Sequence, residues 1–519
     1  MTTYDAVVVG AGPNGLVAAN HLMDAGWSVL VLEAQPEIGG AVASDRELHP
    51  DFVHDTFSAF YPLAAASATI QGFELERHGL EWVHAPAVLG HLMPDSDRWA
   101  VIHRDREVTA AIMDQQHPGD GEAWLSLCAD WDRIGPSIIG ALLTPFPPVR
   151  HGLGAAVRLR SVGGIGFVRE MLTPIAELAR HRFGGAGPQL LLCGNAGHAD
   201  IPLDAPGSAL MGVLMSMLGQ TVGFPVPRGG AGELAQALGR RLHAGGVGVL
   251  TGQEVVAIEV AGKRARAVRT ASGERYDVRH AVVADVSAPA LYGRLLPAEA
   301  LPRRVHTAMR DFEMDPGTVK VDWALSGPVP WRVEQPYAAG TVHVADSVEE
   351  MSDALHQVGS RTVPERPFLL TGQMTTADPT RSPAGTESMW AYTHVPQGGT
   401  WDHSATERFA DRIQARIEAL APGFGERVLA RRVLGPQELE ARNANLLGGG
   451  VNGGTAQLHQ QLIFRPVPGL GRAETPVRGL YLGSAAAHPG GGVHGACGMN
   501  AARAAIASRR RDPARWRSG

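Results

Sequence analysis

The order of apolar and polar positions along the chain predicts its first elements directly. Residues 6–9, Ala-Val-Val-Val, form the unbroken apolar run that a strand buried on both faces requires, and a second such strand is predicted over 28–32. Between them a helix is expected: Pro13 suits its first turn, Ala18 and Ala19 keep it close to a sheet, and Gly26 ends it. Further along, 233–244 predicts a helix, 249–260 a strand and 281–285 another short buried strand. Thr318 to Leu325 alternates instead, with Val319, Val321, Trp323 and Leu325 on one face and Lys320, Asp322 and Ala324 on the other. The apolar run at 208–224 is broken by Gly212, Gly219 and Gly223 and contains Gln220, so it falls short of the ~20 clean residues of a membrane span.

The junction between the first strand and the first helix carries chemistry. Gly10-Ala11-Gly12-Pro13-Asn14-Gly15 follows the strand at once, in the order strand, glycine turn, helix. Gly10 permits the tight turn, Gly12 lets the backbone approach a pyrophosphate, and Gly15 lets the helix pack closely on the sheet. The second strand ends at Glu33-Ala34, and Glu33 lies where an acid accepts hydrogen bonds from an adenosine ribose. This is a dinucleotide fingerprint, shared by NAD and FAD. A second match, Gly230-Ala231-Gly232-Glu233-Leu234-Ala235, is discounted because Pro225 and Pro227 stand where its strand would be. Without a second nucleotide site, reduced nicotinamide is not expected as the electron source.

Composition narrows the rest. A chain of 519 residues exceeds one core, and its 44% hydrophobic content with net charge −6 excludes the basic balance of a nucleic-acid binder. Cys128, Cys193 and Cys497 form no CxxC pair, so neither a disulfide framework nor a dithiol centre is indicated, and no metal site is expected. With the first strand starting near Asp5 and no room for a leader, a cytoplasmic protein is expected. The segment 138–183 is apolar and amphipathic, and between Thr144 and Pro188 six arginines face only Glu170 and Glu177. It reads either as ordinary covering helices or as a peripheral contact with an anionic membrane that admits lipid-like substrates.

Gln35-Pro36-Glu37-Ile38-Gly39-Gly40-Ala41 resembles the stretch after the ribose acid in the flavin amine oxidase and phytoene desaturase superfamily, although Ala41 stands where most members have arginine. Near the C-terminus, His488-Pro489-Gly490-Gly491-Gly492-Val493-His494-Gly495 is similar to the loop of phytoene desaturase-type oxidoreductases. Asn452-Gly453-Gly454, His459-Gln460-Gln461 and Arg465-Pro466-Val467-Pro468-Gly469 narrow the resemblance to the branch of pyridine nucleotide-disulphide oxidoreductase domain-containing proteins. The resemblance implies an α/β fold: a FAD-binding Rossmann-like domain of the glutathione reductase type 2 class (1–70, 221–309 and 441–508) with an inserted mixed-sheet α+β substrate domain (71–220 and 310–440). Residues 509–519 read as a solvated basic tail.

It further implies non-covalent FAD. Gly40 and Ala41 would pass the cofactor, Gly483 and Ser484 would approach the pyrophosphate and ribityl chain, Gly492 and Val493 would lie on the isoalloxazine, and Val255 would touch the adenine. Lys320, one of only two lysines, would hold a water near flavin N5, unless it is simply an exposed Lys-Asp pair. His488 and His494 are candidates for moving protons or for holding the loop. His54 and Asp55 read as structural, and Cys497 as a packing residue. The expected activity is a desaturase or oxidase taking hydride from an apolar small molecule, with oxygen or a quinone as acceptor. The alternative is a non-catalytic binding protein of the GDP-dissociation-inhibitor type.

Overall fold

The computed structural model describes residues 3–93 and 96–510. The chain opens with β1 (Thr3–Val9), α1 (Pro13–Asp24) and β2 (Val29–Leu32), then reaches β3 (Ala87–Leu92) and β4 (Trp99–His103). A helical stretch follows with α2 (Asp120–Leu143), α3 (Val149–Leu159), α4 (Ile165–Leu172), α5 (Ala186–Ala196) and α6 (Ser208–Thr221). The chain returns through α7 (Gly232–Ala244), β5 (Gly248–Leu250), β6 (Val255–Ala261), β7 (Arg264–Thr270) and β8 (Arg275–Ala284). It then forms β9 (Gly317–Leu325), β10 (Ala339–Val344), β11 (Leu369–Gln373), β12 (Glu387–Val395), α8 (His403–Leu420) and β13 (Val428–Leu434). It closes with β14 (Leu480–Leu482) and α9 (Ala496–Arg510).

Among the described residues there are two large sheets. The first runs β6-β7-β8-β1-β2-β5, with β14 paired to β8. β1, β2, β5, the end of β8 and β14 are parallel, whereas β6, β7 and the start of β8 form an antiparallel meander. β1 sits centrally, which is why Ala6 to Val9 are all apolar and at most 5% exposed. Each such valine contributes roughly 1.5–3 kcal/mol by leaving water. Helices α1, α7 and α9 pack on one face, and the β6–β8 meander with residues 288–305 closes the other.

The second sheet runs β13-β9-β12-β11-β10-β3-β4, antiparallel except where β10 meets β3. One face packs beneath α8. The other looks toward α2, α5 and α6 and toward the N-terminal hairpin of Ser44–Asp45 with His54–Asp55. The overall class is therefore α/β with a Rossmann-like first sheet and a mixed second sheet.

Three sequence expectations are corrected. Residues 249–260 form two strands, because Gly252 turns with a positive φ of 66° and the N–H groups of Gly252 and Gln253 bond to the carbonyls of Gln35 and Glu33. The Lys320–Asp322 pair is not exposed: the residues are 3% and 0% accessible, since the hairpin of Ser44–Asp45 with His54–Asp55 packs over this face of β9, its Asp55 carbonyl taking the Lys320 ammonium and Asp45 taking Arg432. Arg509 is not part of a solvated tail but lies in the last turn of α9, with its guanidinium over the Trp27 ring, while 511–519 lie outside the described residues. No described helix is long and apolar enough to cross a membrane.

Candidate active site

The glycine turn is built by close approach. Gly10 has φ of 97°, and a Cβ there would lie 2.7 Å from the Asp285 carbonyl. A Cβ on Gly12 would lie 2.7 Å from Asp285 Oδ2, and one on Gly15 2.1 Å from the Gly10 carbonyl. Glu33 Oε2 accepts from the Ala11 N–H at 2.6 Å and Oε1 from Gln35 N–H at 2.9 Å, so this buried acid ties the turn to the end of β2. The 251–254 turn bonds back to Glu33 and leads into Val255, which packs in the same core as Leu32 at the end of β2.

The other signatures converge on this turn. A Cβ on Gly40 would come within 3.0 Å of the Gly12 Cα, and Gly39 N–H bonds to Ala11. A Cβ on Gly498 would lie 1.9 Å from the Asn14 carbonyl, so the start of α9 is pressed on α1. Gly483 N–H bonds to the Ala284 carbonyl, placing Gly483 and Ser484 at the end of β8. Gly492 faces Leu63, and Val493 packs at the edge of the α1–α9 core. Asn14 is buried with Oδ1 unpartnered among the described residues. Glycine-lined backbone from three distant segments, meeting at the N–H groups of a helix N-terminus, fits the pyrophosphate of an ADP half, and the unpartnered Asn14 Oδ1 is left to accept from a ligand hydroxyl.

The discounted glycine run at 229–232 is filled by protein. Gly229 N–H bonds to Asp378, Ala231 N–H to Asp55 and Gly232 N–H to Ser44 Oγ. These donors are spent on side chains.

Between the two sheets lies a buried ionic network that local sequence patterns did not suggest. Lys320 Nζ donates to the Asp55 carbonyl at 2.9 Å and to Asp322. Asp322 Oδ2 also accepts from Arg432 Nε at 3.0 Å and Nη2 at 2.9 Å, and Arg432 Nη1 reaches Asp45 at 2.8 Å. Asp55 Oδ1 accepts from Arg381 Nη1 at 2.8 Å, and Arg381 Nε bonds to Asp378 at 3.0 Å. Burial pulls the Lys320 pKa below the usual lysine value, opposed by Asp322. Burial alone would raise Asp322, but Lys320 and Arg432 hold its carboxyl below the usual range. His54 Nδ1 lies 3.2 Å from Ser388 Oγ, and burial pushes its pKa down to about 4.

The C-terminal histidines hold the loop. His488 Nε2 lies 2.9 Å from the Thr144 carbonyl at the end of α2, and His494 Nδ1 accepts from Ala496 N–H at 3.0 Å, capping α9. Burial lowers both, His494 to about 4. Cys497 is buried, its thiol raised to about 12 by burial, and no disulfide joins the three cysteines among the described residues.

Arg465, fully buried, donates to the carbonyls of Asn452, Gly454, Thr455 and Ala485. Asp315 accepts from the N–H groups of Asn452 and Gly454. The Asn452 and Arg465 motifs, noticed in the sequence only as a resemblance, thus brace the glycine loop at Ala485.

The flavin containing amine oxidoreductase family model matches residues 14–506. The rat pyridine nucleotide-disulfide oxidoreductase domain-containing protein 2 is 28% identical over 96% of this chain and 92% of its own length. A lycopene-forming phytoene desaturase from Pantoea ananas is 24% identical over 96% of this chain and 98% of its own. An oxidoreductase from Methanosarcina mazei superposes with TM-score 0.62 at 16% identity, covering 97% of this chain and 99% of that one. With the glycine signatures converging as this chemistry demands, the chain belongs to the flavin containing amine oxidoreductase family and is an FAD-dependent oxidoreductase.

Proposed function

We propose that the chain holds FAD non-covalently and takes hydride from an apolar small molecule, as a desaturase or oxidase, passing electrons to oxygen or a quinone. The observation that carries this is that residues 58–63 bridge the glycine cradle and the sheet face bearing Lys320: Ser58 Oγ donates to the Ala41 carbonyl, Leu63 lies against Gly492, and the Phe60 ring meets that of Trp390, which pairs with Asp322. Gly10, Gly12, Pro13, Asn14, Gly15, Glu33 and Ala34 would hold the ADP half, with Val255 at the adenine. Gly40, Ala41, Gly483 and Ser484 would line the path to the isoalloxazine, which Gly492 and Val493 would back. When bound, FAD supplies a two-electron acceptor.

The protein's own groups then set the environment. Lys320 spends two of its three N–H donors on Asp55 and Asp322, leaving one for a water or substrate atom at Nζ. His488, tied to the end of α2, and His494, bonded to the start of α9, are neutral and hold the loop in place rather than carry charge. Phe60, Leu63, Met215 and Tyr392 are half-buried at the margin of the core between the second sheet and α6, and form apolar walls that exclude water. A substrate with little charge matches those walls, in line with a relative named for phytoene. The binding-only reading is weaker, because a carrier has no use for the intact cradle.

Membrane contact belongs to the same reading. Helix α3 packs on α2 through Leu159 and an Arg158–Ser137 hydrogen bond but leaves its outer face open, and Val157 in α3 and Ile165 in α4 are 79% and 84% exposed beside Arg150, Arg158, Arg160 and Arg169. Leu458 lies against Gly207, whose N–H bonds to Leu172, so the exposed Leu458, Leu462, Ile463 and Phe464 continue this apolar surface. Apolar side chains among arginines complement an anionic bilayer.

The first test is the visible spectrum of the purified protein, followed by anaerobic dithionite titration and readmission of air. A flavin spectrum that bleaches and recovers is expected. A colourless protein that cannot be reconstituted with FAD would refute the proposal.

A further inference from the structure

The face of the second sheet that carries Lys320 also carries a row of polar side chains that the redox chemistry does not use. Register places Thr318 opposite His394, Lys320 opposite Tyr392, and His343 opposite His91. These residues share one side of the sheet, because directly paired positions point the same way. His394 is 4% exposed, yet neither ring nitrogen has a hydrogen-bond partner among the described residues, and Thr318 Oγ1 beside it also lacks one. The Gly197 carbonyl faces the ring without completing a hydrogen bond. Buried polar atoms are normally satisfied, and three orphans on cross-strand neighbours mark a place where a ligand or water completes the bonding.

The surroundings define what that ligand is. His198, at the end of α5, has Nε2 3.1 Å from His343 Nε2, so one ring donates and the other accepts. Gly194 makes room for this pair, since a Cβ there would lie 2.2 Å from His343 Nδ1. The nearby acid Asp200 is committed to Thr455 Oγ1 and Ala456 N–H, and Lys320 to Asp322. Burial lowers the pKa of His198 to about 3 and depresses those of His343 and His394 as well, so the imidazoles are neutral. Such a pocket offers one N–H donor and one nitrogen acceptor without net charge. It penalises a carboxylate, which would be desolvated beside Asp200 with no counter-charge, and an ammonium, whose three N–H donors would find one ring nitrogen and an Asp200 whose oxygens are already taken.

We propose that His394, with Thr318 beside it and the His198–His343 pair close by, anchors a neutral oxygen function, hydroxyl or carbonyl, of an otherwise apolar substrate. This specificity-determining role rests on the reading of the chain as a flavoenzyme with an apolar substrate cavity, and it adds the one polar group that the substrate carries.

The test uses the flavin-loaded full chain and five ring-matched probes: methylcyclohexane, cyclohexanol, cyclohexanone, cyclohexylamine and cyclohexanecarboxylate. Dissociation constants are read from flavin difference spectra and by calorimetry. The alcohol and ketone are expected to bind about tenfold more tightly than the hydrocarbon, the gain of one well-made hydrogen bond, and the amine and acid no more tightly than it. His394→Phe should remove that preference and leave methylcyclohexane within about twofold, while His394→Gln should keep part of it. Thr318→Val, a change of similar volume, should weaken the alcohol in the same direction and serves if His394→Phe loses its flavin. Flavin-loaded wild type that binds all five alike, or His394→Phe that keeps the alcohol preference, overturns the anchor while the flavoenzyme reading stands. Wild type that takes up no flavin overturns both.

Discussion

Replacing Asp285 with asparagine isolates an acid that the fold places inside its own cofactor turn. The carboxylate sits under the first turn of α1, with Oδ2 accepting from Gly15 N–H at 2.8 Å. Burial, with Glu33 adding to it and the Gly15 bond opposing, raises its pKa from 3.8 to about 7. A carboxyl that binds its proton more tightly in the folded chain than in the unfolded one favours folding at low pH. That stability is lost as pH rises from the unfolded value, near 4, through about 7. Between pH 5 and 8 a shift of this size amounts to roughly 2–3 kcal/mol.

Asparagine cannot ionise, and its Oδ1 can still accept from Gly15. Urea unfolding at pH 5 and pH 8 should therefore show wild type losing roughly 2–3 kcal/mol more than Asp285→Asn over that interval. Asp315, raised to about 6, and Glu387, raised to about 7, titrate in the same window but are present in both proteins, so the difference belongs to Asp285. A pyrophosphate in the same turn adds negative charge, so FAD affinity should weaken from pH 6 to 8 in wild type and stay flat in the variant. Equal pH slopes in the two proteins, or a variant less stable than wild type at pH 8, would refute the reasoning.

Arg465→Met should cost roughly 2–4 kcal/mol in chemical unfolding and release FAD, because four carbonyls lose their donor and the glycine loop its brace at Ala485. A variant with wild-type stability and flavin content would contradict that role. Lys320→Met leaves Asp322 held by Arg432, so the protein should fold and keep its flavin while stopped-flow reoxidation by air slows roughly 10- to 100-fold. Unchanged reoxidation would remove Lys320 from the chemistry. Val157→Asp with Ile165→Asp should abolish flotation with anionic vesicles, without changing the melting temperature, since both side chains are exposed. Retained flotation would place the membrane contact elsewhere or nowhere.

The cofactor signatures were legible because each is local. A positive φ at Gly10, a missing Cβ at Gly12 or an acid at the end of a buried strand is required by contacts within one strand–turn–helix unit, and the residue type discloses the need. The Asn452 and Arg465 motifs could be noticed but not interpreted, since what they brace, Ala485, lies 20 residues beyond Arg465. Reading 249–260 as one strand failed because four residues of turn, with their donors taken by Glu33 and Gln35, interrupt an otherwise strand-like pattern.

The amino-acid sequence by itself thus determined the nucleotide-binding unit, the family and the class of chemistry. Only the tertiary structure decided the ionic network and the histidine row. Arg381 meets Asp55 across 326 residues and Arg432 meets Asp45 across 387, separations at which no local pattern specifies a partner. The alternation from Thr318 to Leu325 shows which side chains share a face, but not whether that face meets water or another part of the chain. The hairpin of Ser44–Asp45 with His54–Asp55 settles that, because burial depends on what the rest of the chain lays over the strand.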